Sequence, residues 1–350
     1  MLIRAKTPLR ISFAGGGTDV PPFPEREGGI VLNAAVTRYA YGTLVPGSGE
    51  KISIESVDYG MTTTYGIDES LDHDGKLDMA KAAIRNVEER YPRRASDPAE
   101  KPRFHQGFEL FLHSDAPPGT GLGSSSAMAV TLIGLLKEFR HLEMTEYDIA
   151  SLACSIERED LGIKGGLQDQ YATTFGGFNL IEFGDGRVIV NPLRIAPDAL
   201  LELEQCLLLC YSGVSRTADH IIDDQTQRFE RHNETALEGL RRQKVLAVEM
   251  KEALLERRLT DFGELLHEAW QAKKRMSSRI SNDRIDEMYE EARRHGAIGG
   301  KVTGAGGGGY MLFYCDYRTK HRVAEAMLAM DARVEEFAFA HEGMRTWRVS

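Results

Sequence analysis

A stretch rich in glycine and serine, Pro117–Ala127, has the composition of a site that binds an anion. It follows a strand-like run and precedes an apolar helical pattern. Glycines let backbone N–H groups turn inward and approach an anion closely, and the N-terminus of the following helix adds unpaired donors and a positive dipole end. The hydroxyls of Ser124–Ser126 can cap the helix, donate to phosphate oxygens or ligate Mg²⁺. The stretch predicts a phosphate cradle, although a glycine-rich turn with a serine cap has the same local chemistry.

Two acidic residues farther along, Glu157 and Asp169, could carry the chemistry that a bound phosphate implies. Phosphoryl transfer needs a metal ligand and a group that orients or deprotonates the acceptor hydroxyl. The two carboxylates could divide these roles. Three charged residues follow Glu157 directly, however, so an exposed position on a charged helix explains Glu157 equally well.

Two further glycine runs flank this region at the two ends of the chain. Near the start, a short apolar strand leads into Gly15–Gly17, Thr18 and Asp19. The Asp19 carboxylate could accept hydrogen bonds from a polyhydroxylated ligand, with Arg10 as a nearby cation, or it could cap a surface turn. Near the end, Gly304–Gly309 has five glycines in six residues. Because so many glycines are entropically costly, we expect close approach of this backbone to a ligand, with a hinge as the alternative.

Strands and helices must hold these segments, and the hydrophobic periodicity predicts both kinds of element. The mixture indicates an α+β protein. Strand-like runs cover Ile30–Leu44, Phe108–His113, Cys206–Tyr211, Tyr310–Tyr314 and Met344–Val349, and helical patterns cover Asp78–Tyr91, Ser126–Phe139, Glu146–Leu161, Arg318–Met330 and most of Ser215–Arg294.

Turn-forming residues divide this pattern in two places. Tyr91–Arg103 carries prolines among charged residues and is predicted to be an exposed loop. Turn signals across Glu182–Pro197 indicate a domain boundary near residue 195, and a length of 350 residues also favours two domains. We therefore predict an N-terminal domain over 1–195 and a C-terminal domain over 196–350, with a cleft between them.

The composition argues against several other classes of protein. A net charge of -10 disfavours a large surface for nucleic acid or anionic membranes. The first residues lack a secretory h-region and no run of 18 apolar residues occurs, so we expect a cytoplasmic protein. The four cysteines have no CxxC spacing and the histidines no HExxH pattern, which predicts buried free thiols and no transition-metal site. The oligomeric state is left open.

Taken in order, the three glycine-rich segments resemble the three motifs of the galactokinase, homoserine kinase, mevalonate kinase and phosphomevalonate kinase (GHMP) superfamily. The matching patterns are P-x-G-x-G-L-G-S-S, a later G-x-x-D-Q and a final G-A-G-G-G. No lysine follows the first glycines, so the loop is not a Walker A motif. The resemblance implies an N-terminal domain like ribosomal protein S5 domain 2, a ferredoxin-like C-terminal domain and an active site between them.

The resemblance also implies a role for each motif residue, with ATP and Mg²⁺ as cofactors. Asp169 would activate the acceptor hydroxyl and Arg10 would stabilise developing charge. Ser125 and Glu157 would ligate Mg²⁺. The ATP loop would comprise Pro118, Gly119, Gly121, Leu122, Gly123, Ser124, Ser125 and Ser126, and the substrate would contact Thr18, Asp19, Gly304, Gly306 and Gly307.

Within the superfamily, the stretch R-I-S-F-A-G-G-G-T-D-V-P-P-F is unlike the G-E-H-T-D of galactokinases. It is similar to the sugar-1-kinase branch that contains D-glycero-D-manno-heptose 7-phosphate kinases and fucokinases. Fucokinases tend to carry tryptophan at the position of Gly17, so the heptose enzymes are the better match. The resemblance implies phosphorylation of the anomeric hydroxyl of a heptose 7-phosphate to the 1,7-bisphosphate, a step toward nucleotide-activated heptose. The alternatives are a free-sugar kinase such as a fucokinase, or a non-catalytic sugar sensor.

A small-molecule acceptor that already carries a phosphate would need cations at its far end. Lys273 and Lys274, on a helical pattern shortly before the third motif, could supply them, as could Arg216. A solvated helix face is the ordinary alternative for such lysines.

Overall fold

The computed structural model of the protein describes residues 1–91, 106–214 and 219–350. Most of the loop predicted over Tyr91–Arg103 lies outside these described residues, and so does Arg216. Within the described ranges the chain forms two β-sheets with helices packed against them.

The first sheet has eight strands and is organised around two long ones, β1 (Leu2–Ala14) and β2 (Gly29–Pro46). β1 pairs antiparallel with β2 along most of its length. β2 is long enough to pair with two further strands, β6 (Phe178–Gly184) near its start and β5 (Phe108–Ser114) near its end. β3 (Lys51–Ser56), β4 (Met61–Gly66), β7 (Arg187–Pro192) and β12 (Arg345–Val349) complete this sheet.

Helices cover one face of this first sheet, and they carry the serines, Glu157 and Asp169 that the sequence analysis singled out. Phe108–Ser114 alternates strictly between buried and exposed residues, as expected for a strand with one face under helices. α4 begins with a capping box in which Thr145 and Asp148 satisfy each other's backbone N–H groups. The elements are α1 (Phe23–Glu27), α2 (Asp78–Arg90), α3 (Ser124–Arg140), α4 (Glu146–Ser155), a π-helix (Ile156–Asp160) and α5 (Gln168–Phe175).

The second sheet has four antiparallel strands, β8 (Leu207–Tyr211), β9 (Ala297–Val302), β10 (Tyr310–Cys315) and β11 (Arg333–Glu335), in the order β11-β8-β10-β9. Helices connect β8 to β9 and β10 to β11, which gives the β-α-β-β-α-β succession of a ferredoxin-like unit, as predicted. The helices of this half are α6 (Pro197–Cys206), α7 (Asp219–Glu230), α8 (Glu234–Leu255), α9 (Leu259–Met276), α10 (Asp283–Arg294) and α11 (Lys320–Ala329).

Two hydrogen bonds join the two halves of the chain beside the glycine-rich segments. The backbone N–H of Tyr310 donates to the carbonyl of Thr120 at 2.9 Å. Lys301, on β9, donates from Nζ to the carbonyl of Ser12 on β1 at 2.6 Å. The chain end also returns to the first sheet, because β12 pairs with β1. The division near residue 195 stays a prediction.

Most predicted elements are present within a few residues of their expected bounds. One difference is β7, which lies inside the stretch Glu182–Pro197 that the turn signals marked. A second is the last turn of the predicted helix Glu146–Leu161, which is π-helical. The four cysteines are free and buried, as predicted. Among the described residues, no helix has the length and apolar character needed to cross a membrane.

Candidate active site

A cavity of about 340 Å³ between the two sheets collects most of the residues that the sequence singled out. It is lined from β1, the turn before α3, the π-helix, the start of α5, α7, α9 and the β9–β10 turn. The predicted site residues that line it are Arg10, Asp19, Pro118, Gly119, Gly121, Gly123, Ser124, Ser125, Ser126, Glu157, Asp169, Lys273, Gly304 and Gly306.

The predicted phosphate cradle forms the cavity wall at the N-terminus of α3. Gly119, Gly121 and Gly123 have φ angles of 78°, 89° and 75°, in the left-handed region that glycine enters without strain. The chain can therefore turn sharply into α3, whose first N–H groups have no partner within the helix. The buried hydroxyl of Ser124 also has no hydrogen-bond partner in the described part of the chain. Leu122, in contrast, does not line the cavity and packs in the core.

Glu157 is buried at the N-terminus of α3, which we call the mouth of this helix, and 1% of its surface is exposed. Its Oε1 accepts a hydrogen bond from Ser125 Oγ at 2.8 Å, and its Oε2 accepts one from Ser126 Oγ at 2.6 Å and another from Gln170 Nε2. The interpretation of Glu157 as an exposed residue on a charged helix is therefore wrong. The π-helix begins one residue before Glu157 and is the local distortion that presents this carboxylate to the serines.

These oxygen atoms have the chemistry that Mg²⁺ prefers. Mg²⁺ usually takes one or two carboxylates together with water and substrate phosphates, rather than a cage made of protein ligands alone. Glu157 and the hydroxyl of Ser125 provide such a partial set beside the cradle. Across residues 1–91, 106–214 and 219–350 there is no group of three or more His, Cys, Asp or Glu side chains that could hold a metal ion. The residues present therefore fit a metal that is shared with a phosphate ligand.

Asp169 lies at the start of α5 and forms a two-point ion pair with Arg10. Arg10 Nε is 2.7 Å from Oδ1 and Nη2 is 2.8 Å from Oδ2, while Nη1 donates to the carbonyl of Gly121 at 2.5 Å. A methyl group on Gly123 would lie 3.5 Å from Asp169 Oδ2, so the carboxylate is next to the mouth of α3. Arg10 is nearly buried, whereas 22% of the Asp169 side chain remains exposed to the cavity region. The predicted pair of catalytic residues is thus brought to the cradle.

Asp19 lines the cavity but is largely occupied by protein donors. Its oxygens accept from the N–H of Gly17 at 3.0 Å, from the N–H of Gln168 at 3.1 Å and from the Gln168 amide group. Thr18 does not line the cavity. Its Oγ1 donates to the carbonyl of Gly15 at 2.7 Å and accepts from the N–H of Ile30 at 3.1 Å, which stabilises the turn. The substrate role predicted for Thr18 therefore has no geometric support.

The two neighbouring lysines of α9 lie in different environments. Lys273 lines the cavity and is only 4% exposed, so the solvated-face alternative is wrong for it. Burial lowers the pKa of Lys273 to about 8. Lys274 is turned away from the cavity, with Nζ 3.5 Å from Asp286 and stacked on Trp270. Lys274 is therefore not a substrate contact in this geometry.

The third glycine segment packs closely against the phosphate loop. A Cβ on Gly304 would lie 2.6 Å from the Cα of Gly121, so a side chain there would require the two turns to move apart. Gly304, Gly306 and Gly308 line the cavity, whereas the N–H of Gly307 donates to the carbonyl of Ile280 at 2.8 Å. The approach of this backbone to a ligand stays a prediction. The structure shows its approach to the backbone of the turn before α3, and Gly307 does not line the cavity.

Sequence reasoning missed several functional neighbours. Gln170 binds Glu157, Gln168 binds Asp19, and Lys301 is a fully buried cation beside β1. Lys301 had a visible signal, because it is a charged residue inside a glycine-rich apolar strand. A second, mainly apolar pocket of about 300 Å³ adjoins the cradle and was not foreseen. Its apolar lining includes Leu77, Met79, Leu112, Met128, Leu132 and Leu161, and it shares Pro118, Ser124, Ser125 and Ile163 with the cavity.

Comparison with known proteins places this geometry in a family. The N-terminal domain of GHMP kinases matches residues 78–177, and the C-terminal domain of GHMP kinases matches residues 250–333. A D-glycero-alpha-D-manno-heptose 7-phosphate kinase from Campylobacter jejuni is 40% identical over 99% of both chains. The L-fucokinase/L-fucose-1-P guanylyltransferase of Bacteroides fragilis is 29% identical over 89% of this chain, which spans 34% of that protein.

A solved structure agrees with these sequence relationships. The crystal structure of a D-glycero-D-manno-heptose 1-phosphate kinase from Bacteroides thetaiotaomicron superimposes with a TM-score of 0.82 at 32% identity, covering 99% of each chain. The predicted resemblance to heptose 7-phosphate kinases and the predicted two-domain α+β fold are confirmed. The chain belongs to the GHMP kinase family and is an ATP-dependent kinase of that family.

Proposed function

We propose that this enzyme transfers the γ-phosphate of ATP to the anomeric hydroxyl of D-glycero-D-manno-heptose 7-phosphate. The observation that carries the proposal is the meeting of the Asp169–Arg10 pair with the Ser125–Glu157 pair at the mouth of α3. The choice of acceptor is supported by the Campylobacter relative named for this substrate, which matches nearly the whole chain.

The nucleotide would lie across the cradle and the adjoining apolar pocket. The triphosphate would accept hydrogen bonds from the N–H groups at the start of α3 and from Ser124, whose hydroxyl has no partner among the residues that the structure describes. The apolar pocket shares Ser124 and Ser125 with the cavity, so a purine there would be continuous with a triphosphate at the helix mouth. The apolar lining suits the faces of a purine ring.

Ser125 and Glu157 would hold Mg²⁺ against the phosphate oxygens. The ion would supply neutralisation of charge on the transferred group. Glu157 is fixed for this role because Ser126 and Gln170 hold one of its oxygens while Ser125 lies at the other. The carboxylate therefore keeps its orientation without the ion.

Asp169 would accept the hydrogen bond of the acceptor hydroxyl and orient its oxygen toward the cradle. Arg10 occupies one acceptor site on each oxygen of Asp169, and a carboxylate has about four such sites in all. The free sites are available to the substrate. The fixed guanidinium also places positive charge beside the position where negative charge develops during transfer.

Gly17 favours a heptose acceptor over the free-sugar alternative. A Cβ on Gly17 would lie 2.3 Å from Cε of Met276, and the φ of 108° is one that other residues rarely adopt. The tryptophan that is typical of fucokinases at this position therefore cannot be accommodated in this packing. The fucokinase-like alternative is kept as an outcome of the test.

The test measures ADP release with Mg-ATP and three acceptors: heptose 7-phosphate, the same heptose without phosphate, and L-fucose. We expect efficient turnover with heptose 7-phosphate and a product phosphorylated at the anomeric carbon. Asp169→Asn should lower kcat by about 100- to 10,000-fold, because the group that orients and deprotonates the acceptor is lost. ATP binding by that variant should stay close to the wild-type value.

Three results would contradict the proposal. Fucose as the preferred acceptor would support the free-sugar kinase, and sugar binding without ADP release would support a sensor. Wild-type turnover by Asp169→Asn would remove Asp169 from the reaction.

A further inference from the structure

The backbone at Gly16 leaves a concave surface in the cavity on which three side chains converge. A Cβ on Gly16 would lie 3.2 Å from Ser12 Oγ, 3.5 Å from Gln168 Nε2 and 3.8 Å from Lys273 Nζ. These side chains come from β1, α5 and α9, so both halves of the chain contribute. All four residues line the same cavity as Asp169.

Each of the three side chains has an unused hydrogen-bond donor. Ser12 is 3% exposed, and its hydroxyl has no partner among the described residues. Gln168 directs Nε2 toward Asp19 at 3.2 Å, which occupies one of its two N–H groups. Lys273 is 4% exposed and makes no hydrogen bond with the described part of the chain. Because buried polar groups are normally paired, the cluster lacks an acceptor that a ligand could supply.

The charge of Lys273 distinguishes it from the other cations of the cavity. Arg10 is paired with Asp169, Lys164 with Asp223, and Arg158 donates to two carbonyl groups. Among the described lining residues, Lys273 is the cation without such a partner. Asp19 and Asp169 attract Lys273 electrostatically, but Asp19 is hydrogen-bonded to two backbone N–H groups and Asp169 to Arg10, so neither is hydrogen-bonded to the Lys273 amine.

We propose that Ser12, Gln168 and Lys273 form the subsite for the phosphate group that the acceptor already carries, and that this subsite sets the preference for a phosphorylated sugar. The inference rests on the proposed function, because it assigns part of the acceptor site of that reaction. A phosphate offers several charged oxygen acceptors, and it matches one ammonium, one hydroxyl and one amide donor better than a single sugar hydroxyl does. The lack of a side chain at Gly16 provides the space.

The experiment compares wild type, Lys273→Met and Lys274→Met with the phosphorylated and unphosphorylated heptose. Lys274 is the matched control, because it neighbours Lys273 on α9 but faces Asp286. For Lys273→Met we expect kcat/KM with heptose 7-phosphate to fall by about 30- to 1,000-fold, the usual range for loss of a buried charged contact. The value with unphosphorylated heptose and the KM for ATP should change little, and Lys274→Met should resemble the wild type with both sugars.

A second variant tests the same subsite without removing a charge. Gly16→Ala places a methyl group in the concave surface, and only the Ser12 hydroxyl must yield slightly, so folding should be retained. We expect selective loss of affinity for heptose 7-phosphate. This variant decides the question if Lys273→Met does not fold.

Binding without ATP separates failure of this inference from failure of the proposed function. Calorimetry with the two sugars should show tighter binding of the phosphorylated one to wild type and loss of that difference in Lys273→Met. If wild type binds both sugars equally, or if Lys273→Met keeps the difference, the subsite assignment is wrong whatever the turnover. If Lys273→Met lost affinity equally for both sugars, Lys273 would instead be assigned to the end of the sugar that carries the anomeric hydroxyl. Absence of turnover despite selective binding would contradict only the proposed function.

Discussion

Glu157 and Asp169 are two carboxylates near one helix mouth, and their neighbours give them different capacities. Glu157 is enclosed by hydroxyl and amide donors from Ser125, Ser126 and Gln170. Asp169 is held by one rigid cation and keeps an open side. A metal can replace a serine hydrogen bond at Glu157 with little rearrangement, whereas Asp169 can reach a substrate hydroxyl only from its exposed side. The different surroundings therefore support the proposed division of roles, in which Glu157 would hold the metal and Asp169 would bind the acceptor hydroxyl.

Lys273 should reduce the stability of the free enzyme at neutral pH. Its pKa is about 8 in the folded chain because of burial, against an ordinary value of 10.5. The unfolded chain therefore binds more protons between these two values, and the free energy of unfolding should rise with pH across that window. Below about pH 8 the penalty is fully present and amounts to about 3 kcal/mol.

Lys273→Met removes this penalty, and we expect it to unfold at higher denaturant concentration than wild type at pH 7. The difference should shrink as pH rises from 8 toward 10.5, because folding then requires wild-type Lys273 to lose a proton, and this loss costs less free energy as the pH approaches 10.5. Chemical denaturation at several pH values measures it. Other charged groups also lie around this amine, namely Arg10, Asp19, Asp169 and Lys301. All of them are kept in Lys274→Met, so this variant is the control for pH effects that do not come from Lys273. A pH-independent difference would show that the amine is not responsible.

At the scale of elements, the site depends on glycine where two backbones meet. The turn between β9 and β10 packs against the turn before α3, with Gly304 facing Gly121. Thr303 Oγ1 also donates to the carbonyl of Gly121 at 3.0 Å. The shape of the phosphate cradle is therefore supported from the second sheet, although all of its own residues belong to the first half of the chain.

Gly304→Ala should disturb the cradle from the opposite side of the cavity. Its methyl group would lie 2.6 Å from the Cα of Gly121, so the two turns must separate. Such overpacking typically costs about 1–3 kcal/mol, and we expect weaker ATP binding together with a lower melting temperature. Titration with a non-hydrolysable ATP analogue measures the first effect. Gly49→Ala is the control, since a methyl group there has no atom of the described residues within 4 Å. Equal ATP affinity in the two variants would contradict this account.

The elements that the sequence predicted well are those with strong periodicity or clear caps. Phe108–Ser114 alternates cleanly, and Thr145 with Asp148 marks the start of α4. β7 was missed because only one of its six residues is buried and because turn-forming residues lie on both sides of its short apolar run, Val188–Val190. The π-helix was missed because one extra residue in a turn leaves no mark in hydrophobic spacing.

The motifs predict which residue types form the site, but they do not predict which side chains point into the cavity. Lys273 and Lys274 are identical residues at adjacent positions, and only the rotation of α9 against β1 and α10 decides which one enters the cavity. Thr18 and Leu122 lie within matching motifs, yet their side chains stabilise a turn and fill the core. Such assignments depend on tertiary packing that a linear pattern does not contain.

At the scale of the whole molecule, the balance of charge in the cavity differs from that of the chain. The chain has a net charge of -10, yet the cavity lining includes four cations, Arg10, Arg158, Lys164 and Lys273, against four acids, Asp19, Glu157, Asp169 and Asp219. The cavity is therefore locally balanced within an acidic protein. Binding of phosphates must therefore depend on short-range donors, because the long-range field of an acidic chain repels anions.

β12 forms an edge of the sheet whose neighbouring strand, β1, carries Arg10. β12 pairs with residues Leu2–Lys6 of β1, and Arg348 donates from Nε to Glu138 of α3 at 2.7 Å. β12 therefore covers one edge of β1 and also contacts the helix that follows the phosphate cradle. Arg10 lies beyond the paired segment and is held by β2 instead, opposite Ala35.

Deletion of residues 345–350 should therefore lower stability much more than catalysis. The loss of the β12 ladder removes several backbone hydrogen bonds, each worth about 1 kcal/mol net, and exposes the edge of β1 to self-association. We expect a lower unfolding free energy and faster aggregation on warming, measured by denaturation and light scattering. The kcat at low temperature should stay within a few-fold of wild type, because β2 still positions Arg10 against Asp169. Deletion of Ser350 alone, which lies outside β12, is the control. If the truncated enzyme were fully stable but inactive, β12 would act on the site directly, and the separation between support and chemistry argued from the strand registers would be wrong.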